Sequence, residues 1–304
     1  MQAQMEYAKE SCAKQKRIKK RSALKKANMK QRNWIGSLGK YLFLICMAFV
    51  FAMPMVFTLL SSVKTKVEIF SSPFALPKVF QWSNYVEAWV GASMSNYFRN
   101  SLIQAGATAI VLGVVSSMAA FVLSRFRLKM NRFLTAFFMV GMMVPVHTVL
   151  VPVSYLIGAL NLKNNIPALI MIYTAFNLPF SIMVLTNFMK GVNKSLEEAA
   201  LLDGATYFQI YKNVMLPLTV PAIATISIFN FLAAWNNILF PLLFINDKKL
   251  KPIALGLLNF NGERGSEHGP LMAAIVITVA VPFILYLLFQ EKVEGGLASG
   301  AVKE

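Results

Sequence analysis

Six runs of about twenty apolar residues interrupt this chain, at 41–60, 101–123, 133–157, 166–189, 218–245 and 270–289, and none holds an aspartate, glutamate, lysine or arginine. Each is long enough to cross the hydrocarbon core of a bilayer as a helix. Helices are required there, because lipid offers no partner to an exposed backbone N–H or C=O. The expected fold class is therefore an all-α membrane protein with six transmembrane helices. Composition agrees: 57% of the 304 residues are hydrophobic and 14% charged, against about a quarter charged in soluble domains.

The net charge of +17 is concentrated at one end. Twelve of the thirty Lys and Arg lie between Lys9 and Lys40, so residues 1–39 read as a basic tail. A run such as Lys14 to Arg21 binds phosphate chains nonspecifically, but no recognition module follows it, and no nucleic-acid partner is expected. A basic stretch just before a span instead holds that end in the cytoplasm and suits anionic lipid. The first apolar run is too long and too far from the N-terminus for a cleaved signal, and reads as a retained signal anchor. The loop with Arg125, Arg127, Lys129 and Arg132 carries no acid. By the positive-inside rule it is cytoplasmic, as are residues 190–217 and both termini. Cys12 and Cys46 lie in unlike settings and make neither a disulfide framework nor a metal site.

The spans lack the usual engines of transport. Ion-coupled carriers usually bury ionisable groups on their pathway; here only His147 could serve, and a lone histidine is more often a packing hydrogen-bonder. No G-x-x-x-x-G-K-[ST] loop offers a nucleotide site, and no Ser/His/Asp or Cys/His set supports an enzyme. An ion-coupled carrier or channel and a noncatalytic scaffold are both disfavoured. A transporter without its own engine must borrow one. Pro54, Pro145, Pro152, Pro179, Pro221, Pro241 and Pro282 lie in or beside the spans, where they mark either bends around a pathway or ordinary packing kinks.

The loop from Ser195 to Pro217 is the informative polar segment. It reads as two short helices around a turn. Ser195 and Glu198 have capping-box spacing, Asp203-Gly204 is a turn signal with glycine free to take positive φ, and a second helix over 205–213 sets Tyr207, Ile210 and Tyr211 on one face. Pro217 closes the unit. Such an exposed pair suits docking into a groove of another protein.

At this loop the chain resembles the inner-membrane permease subunits of ATP-binding-cassette (ABC) importers. Their signature is E-A-A, three residues, G, nine residues, then I-x-L-P; here it is Glu198-Ala199-Ala200, Gly204, then Val214 in place of isoleucine, Leu216 and Pro217. Further segments are similar to the carbohydrate-uptake branch, the second permease of maltose-type and multiple-sugar importers: Asn84-Tyr85, Tyr97 to Ser101, Met143-Val144-Pro145, Phe231 to Asn236, and Gly296 to Lys303. The long basic tail departs from that pattern and has no family role to inherit.

The resemblance implies a bacterial cytoplasmic-membrane protein with a permease domain over 40–304 and a coupling loop at 190–217, between spans four and five. It implies a heterodimer with a second permease, two ATPase subunits that bind ATP and Mg in this chain's stead, and an extracytoplasmic sugar-binding protein. Glu198 would sit at the ATPase interface. Ala199, Ala200 and Ala205 would allow close helix approach, with Asp203 and Gly204 forming the turn. Tyr207, Phe208 and Tyr211 would pack into the docking groove, and Pro217 would end the unit. For the sugar, Asn177, Asn187, Asn230, Trp235, Asn236 and Asn237 are the polar and aromatic candidates within the spans, although interhelical bonding is the commoner use of such residues. A permease for amino acids or peptides is the alternative reading.

Overall fold

The computed structural model describes residues 39–127, 129–262 and 267–301, without the side chains of 259, 261, 262 and 291–301. The expected basic tail, Gly39 apart, lies outside the described residues, as do 302–304 and the side chains of the expected C-terminal resemblance. The chain divides into two compact units, 1–57 and 58–304. The described part of the first belongs to an apolar helix, α1 (Gly39–Ser61), whose last turn enters the second.

In the second unit, α2 (Lys66–Ser71) and α3 (Ser83–Val86) precede the long helix α4 (Met94–Arg125). Then come α5 (Asn131–Met143), α6 (Leu150–Ala159) and α7 (Ile166–Lys190). The short helices α8 (Ser195–Leu202) and α9 (Tyr207–Ile210) lead into α10 (Leu216–Trp235). The unit ends with α11 (Leu239–Phe244), α12 (Ile253–Gly262) and α13 (His268–Ala301). Five of the described helices are long and apolar enough to cross a membrane, and six if one bent pair counts as a single span. The chain is thus a multi-pass all-α membrane protein.

Two spans differ from the expected ones. The third is bent by 87° between α5 and the Val146–Ala159 segment. Proline forces its predecessor out of the helical region, and Val144 is extended (ψ 115°) before Pro145. The fifth was expected over 218–245, but a continuous helical stretch runs from Tyr207 to Trp235 and then stops. Asn237 accepts the Phe240 N–H (3.2 Å) and so starts α11 as a separate helix. Apolar composition continues through the break, which hid it. Pro179, Pro221 and Pro282 are carried inside α7, α10 and α13.

α4 is the strut of the second unit, packed against α7 and α10, with polar ties at both ends. At its N-terminal end Asn100 Nδ2 donates to the carbonyls of Lys249 (2.7 Å) and Lys251 (3.1 Å). Ser101 Oγ there accepts the Ile253 N–H (2.7 Å). Tyr97 packs where a Cβ on Gly256 would overlap its ring, so glycine permits α12 to approach α4. Asn84 Nδ2 likewise bonds the carbonyls of Ser62 and Lys64, both at 3.0 Å. Several segments that carried the sugar-branch resemblance are therefore clamps between loops and spans. Each supplies a hydrogen-bond partner to backbone where a loop meets a span. An aromatic core including Tyr173, Trp235, Phe240 and Phe244 fills this end of the unit.

Candidate functional site

A second apolar cluster, including Phe121, Leu185, Met189, Ile210 and Met215, lies at the other end of α4. The signature loop is built on it. Ala200 and Ala205 pack against the cluster, whereas Glu198, Ala199 and Asp203 are exposed. The turn between them closes in one specific way. Gly204 takes φ +82°, its N–H reaches the Leu201 carbonyl (3.0 Å), and the Ala205 N–H reaches that of Ala200 (2.9 Å). This pair of bonds is a Schellman ending, which needs a left-handed residue at the glycine position. The fixed three-residue spacing of the signature thus has a physical cause. Ala200 supplies the accepting carbonyl, and Gly204 reverses the chain.

The capping box forms elsewhere than expected. Ser195 lies within α8, whose N-cap Lys194 makes no side-chain bond; the Ser195 N–H is taken by Asn193 Oδ1 (3.1 Å). The reciprocal box is Thr206 with Gln209, at the start of α9. Gln209 Oε1 accepts the Thr206 N–H at 2.7 Å, and Thr206 Oγ1 accepts the Gln209 N–H at 3.4 Å. Both stretches fit the S/T-x-x-E/Q pattern, and only the second has an extended residue at the cap.

The second short helix is not closed by Pro217. It passes through a π-turn, Tyr211–Met215, into α10. Pro217 stands in the first turn of α10, where its missing N–H is best tolerated, and the wider turn before it leaves room for the ring. The second short helix and the fifth span are therefore one rod. Tyr211, expected in a partner's groove, turns inward: its hydroxyl meets Ser117 Oγ at 2.8 Å and its ring packs on Phe121. Tyr207 packs its ring on Phe126 (centroids 4.9 Å apart) yet stays exposed, as do Phe208 and Leu202.

Sequence reasoning missed the main brace. Arg125, the last residue of α4, forms an ion pair with Glu197, their side chains 5% and 14% exposed. Its Nη2 also donates to the Val192 carbonyl (3.2 Å) and touches Met215 Sδ (3.6 Å). One guanidinium thus ties α4 to the start of the loop, to α8 and to the foot of α10. Burial pushes the Glu197 carboxyl above its usual range, against the opposing pull of Arg125 and Lys194. The available signal was an arginine ending a span and two adjacent glutamates; which of the two faces inward depends on how α8 is seated.

The sugar candidates do not converge. Asn230 is buried and donates to Ser181 Oγ (2.9 Å), joining α10 to α7. Trp235 is buried, with Nε1 toward the Thr278 carbonyl (3.3 Å). Asn177 bonds within its own helix to the Tyr173 carbonyl (2.8 Å), and Asn237 caps α11. Asn187 and Asn236 are exposed. A separate cavity of about 690 Å³ lies at the bent third span, with His147, Ser154, Tyr155 and Lys163 in its wall.

A helical membrane unit with a braced, exposed two-helix elbow is the architecture of a transporter's membrane subunit. The family comparison agrees. Residues 109–298 match the family described as "Binding-protein-dependent transport system inner membrane component", and the chain belongs to it. It is 35% identical over 274 residues (90% of this chain, 91% of the relative) to the probable ABC transporter permease protein YurM of Bacillus subtilis (strain 168). It is 34% identical over 262 residues (86% and 87%) to the diacetylchitobiose uptake system permease protein NgcG of Streptomyces coelicolor (strain ATCC BAA-471 / A3(2) / M145). The fold matches a chain of a bacterial ABC transporter involved in the import of the acidic polysaccharide alginate. The TM-score is 0.71 and the identity 22%, over 84% of this chain and 96% of that one.

Proposed function

We propose that this permease forms half of the translocation pathway of an ATP-driven importer, for a sugar or oligosaccharide delivered by an external binding protein. A related permease supplies the other half. Two ATPase subunits dock on the α8–α9 elbow and carry ATP and Mg, and this chain is not itself catalytic. Both termini and the elbow face the bacterial cytoplasm. The brace carries the reading: an elbow tied to α4 through Arg125 and Glu197, and continuous with the fifth span, moves as a unit. Closure of the ATPases would tilt the spans from inward-open to outward-open. Glu198 and Phe208 stand exposed on the elbow, placed to meet the ATPase. The named sugar of the diacetylchitobiose relative supports the substrate class. Asn187 and Asn236, exposed, and Asn177 and Asn237, half-buried, are the sugar candidates with surface to offer.

Glu198→Lys and Gly204→Pro are expected to leave membrane insertion intact and to let ATP hydrolysis run without uptake. Proline cannot adopt the positive φ of residue 204. Sugar-driven uptake at the normal rate in both variants would overturn the lever. Deleting the gene and measuring uptake of labelled diacetylchitobiose, other oligosaccharides and amino acids tests the substrate class. Loss confined to an amino acid would favour the alternative.

A further inference from the structure

At the elbow end, a cavity of about 500 Å³ lies between the end of α4, the first half of α5 and the end of α7. Five cations from three stretches of chain line it: Arg125, Arg127, Arg132, Lys190 and Lys194. No acid shares the lining, and the ion-paired carboxylate nearest by, Glu197, is engaged with Arg125. A positive-inside bias accounts for charge on these loops. It does not account for their convergence on a concavity, nor for the buried atoms within it. Arg125, 95% buried, keeps Nη1 without a hydrogen-bond partner. Asn131 gives its Nδ2 to the Phe126 carbonyl (2.7 Å) while its Oδ1 is buried and unpartnered. Two residues of one lining thus hold an unmet guanidinium donor and an unmet amide acceptor, a pairing that suits one ligand carrying both an anionic oxygen and a hydroxyl. Phe126, Ala136 and Met139 make part of the wall apolar.

We propose that this cavity binds the headgroup of an anionic glycerophospholipid. The phosphodiester meets Arg125 Nη1 and the surrounding cations, a headgroup hydroxyl donates to Asn131 Oδ1, and the acyl chains leave along α5. Arginine presents its donors in a fork that matches phosphate, and basic pockets between spans at the cytoplasmic surface take lipid headgroups of this kind. The proposal rests on the reading that the elbow end faces the cytoplasmic leaflet.

The test uses the assembled transporter, reconstituted in vesicles of equal phosphatidylglycerol and phosphatidylcholine, extracted, and weighed with its retained lipids by native mass spectrometry. Wild type is expected to keep one phosphatidylglycerol per copy of this chain. The triple variant Arg127→Gln/Arg132→Gln/Lys190→Gln should lower that occupancy at least about tenfold, while Lys16→Gln/Arg17→Gln/Lys19→Gln in the tail should not. Should the triple variant fail to assemble, the exposed single changes Arg132→Gln and Lys190→Gln carry the same comparison. Equal retention of the two lipids by wild type, or undiminished retention by the variants, overturns the proposal. So does displacement of phosphatidylglycerol by millimolar inorganic phosphate or glycerol 3-phosphate, which would make the ligand a free phosphate. Loss of the ATPase from the triple variant with phosphatidylglycerol still held would assign the cations to the protein partner instead. Leu202→Cys in a Cys12→Ala/Cys46→Ala background, probed in the permease alone so that no partner covers it, reports separately which side of the membrane the elbow faces. Failure of the orientation is thereby told apart from failure of the lipid site.

Discussion

Arg125 concentrates several roles in one side chain, and its removal should show it. Arg125→Ala leaves the Glu197 carboxylate mostly buried without its cation, which costs about 3 kcal/mol, the low end for a buried pair because Glu197 keeps some exposure. The thermal midpoint of the purified permease should fall accordingly, and Arg125→Ala/Glu197→Ala should recover part of the loss. Unequal contributions are expected within the pair, because desolvation of Glu197 outweighs the attraction of Arg125 and Lys194. The sign of the pH effect follows. With its pKa raised in the folded protein, Glu197 contributes stability that is present below the pKa of an unfolded glutamate. That stability is lost as pH rises through the raised native value. The stability of wild type relative to Glu197→Gln should therefore fall as pH rises from the ordinary glutamate range, about pH 4, through the raised native value. A flat difference across that window would remove burial as the dominant influence on Glu197. Sequence marked Glu198 and passed over its neighbour, since two adjacent glutamates on a short helix differ only in helical phase.

The elbow's elements are stabilised locally, and each device can be removed alone. Thr206→Ala deletes the cap of α9 and should cost about 1 kcal/mol, with Thr206→Ser restoring most of it. Gly204→Ala meets no neighbouring atom, so its cost is conformational, about 1 kcal/mol for a left-handed alanine. Hydrogen exchange at the Leu201 to Gln209 amides would register both. The two-helix form of this loop was legible because its turn chemistry is local: Asp203-Gly204 acts within a few residues, whereas the cap expected at Ser195 forms instead at Thr206. The far end of the second helix was not legible. Pro217 looks like a terminator in isolation, and only the π-turn before it lets the helix continue. The same limit applies to the spans. Their existence is written in the absence of charge, while the bend at Pro145 and the stop after Trp235 depend on local backbone that apolar composition does not report.

At the scale of the whole molecule, the elbow presents exposed apolar side chains on a polar segment between two spans. Leu202 is 90% exposed and Phe208 66%, a pattern expected of a face that a partner buries. A Leu202→Cys probe should react readily with a water-soluble maleimide in the permease alone and at least about tenfold more slowly in the assembled transporter. Equal rates would place the ATPase elsewhere. The opposite end behaves differently. Gly256→Val should destabilise the unit by about 2 kcal/mol or more, because the side chain must displace the Tyr97 ring that closes α12 on α4.

The brace between Arg125 and Glu197 also imposes an order on biosynthesis. The arginine leaves the ribosome about seventy residues ahead of its acid, several seconds at ordinary elongation rates. Two further spans must be threaded into the bilayer before the pair can close. Until then the second span ends in an unneutralised cation held at the membrane surface. Nascent chains truncated before Glu197 should therefore be more open to protease at the 124–132 loop than chains a few residues longer.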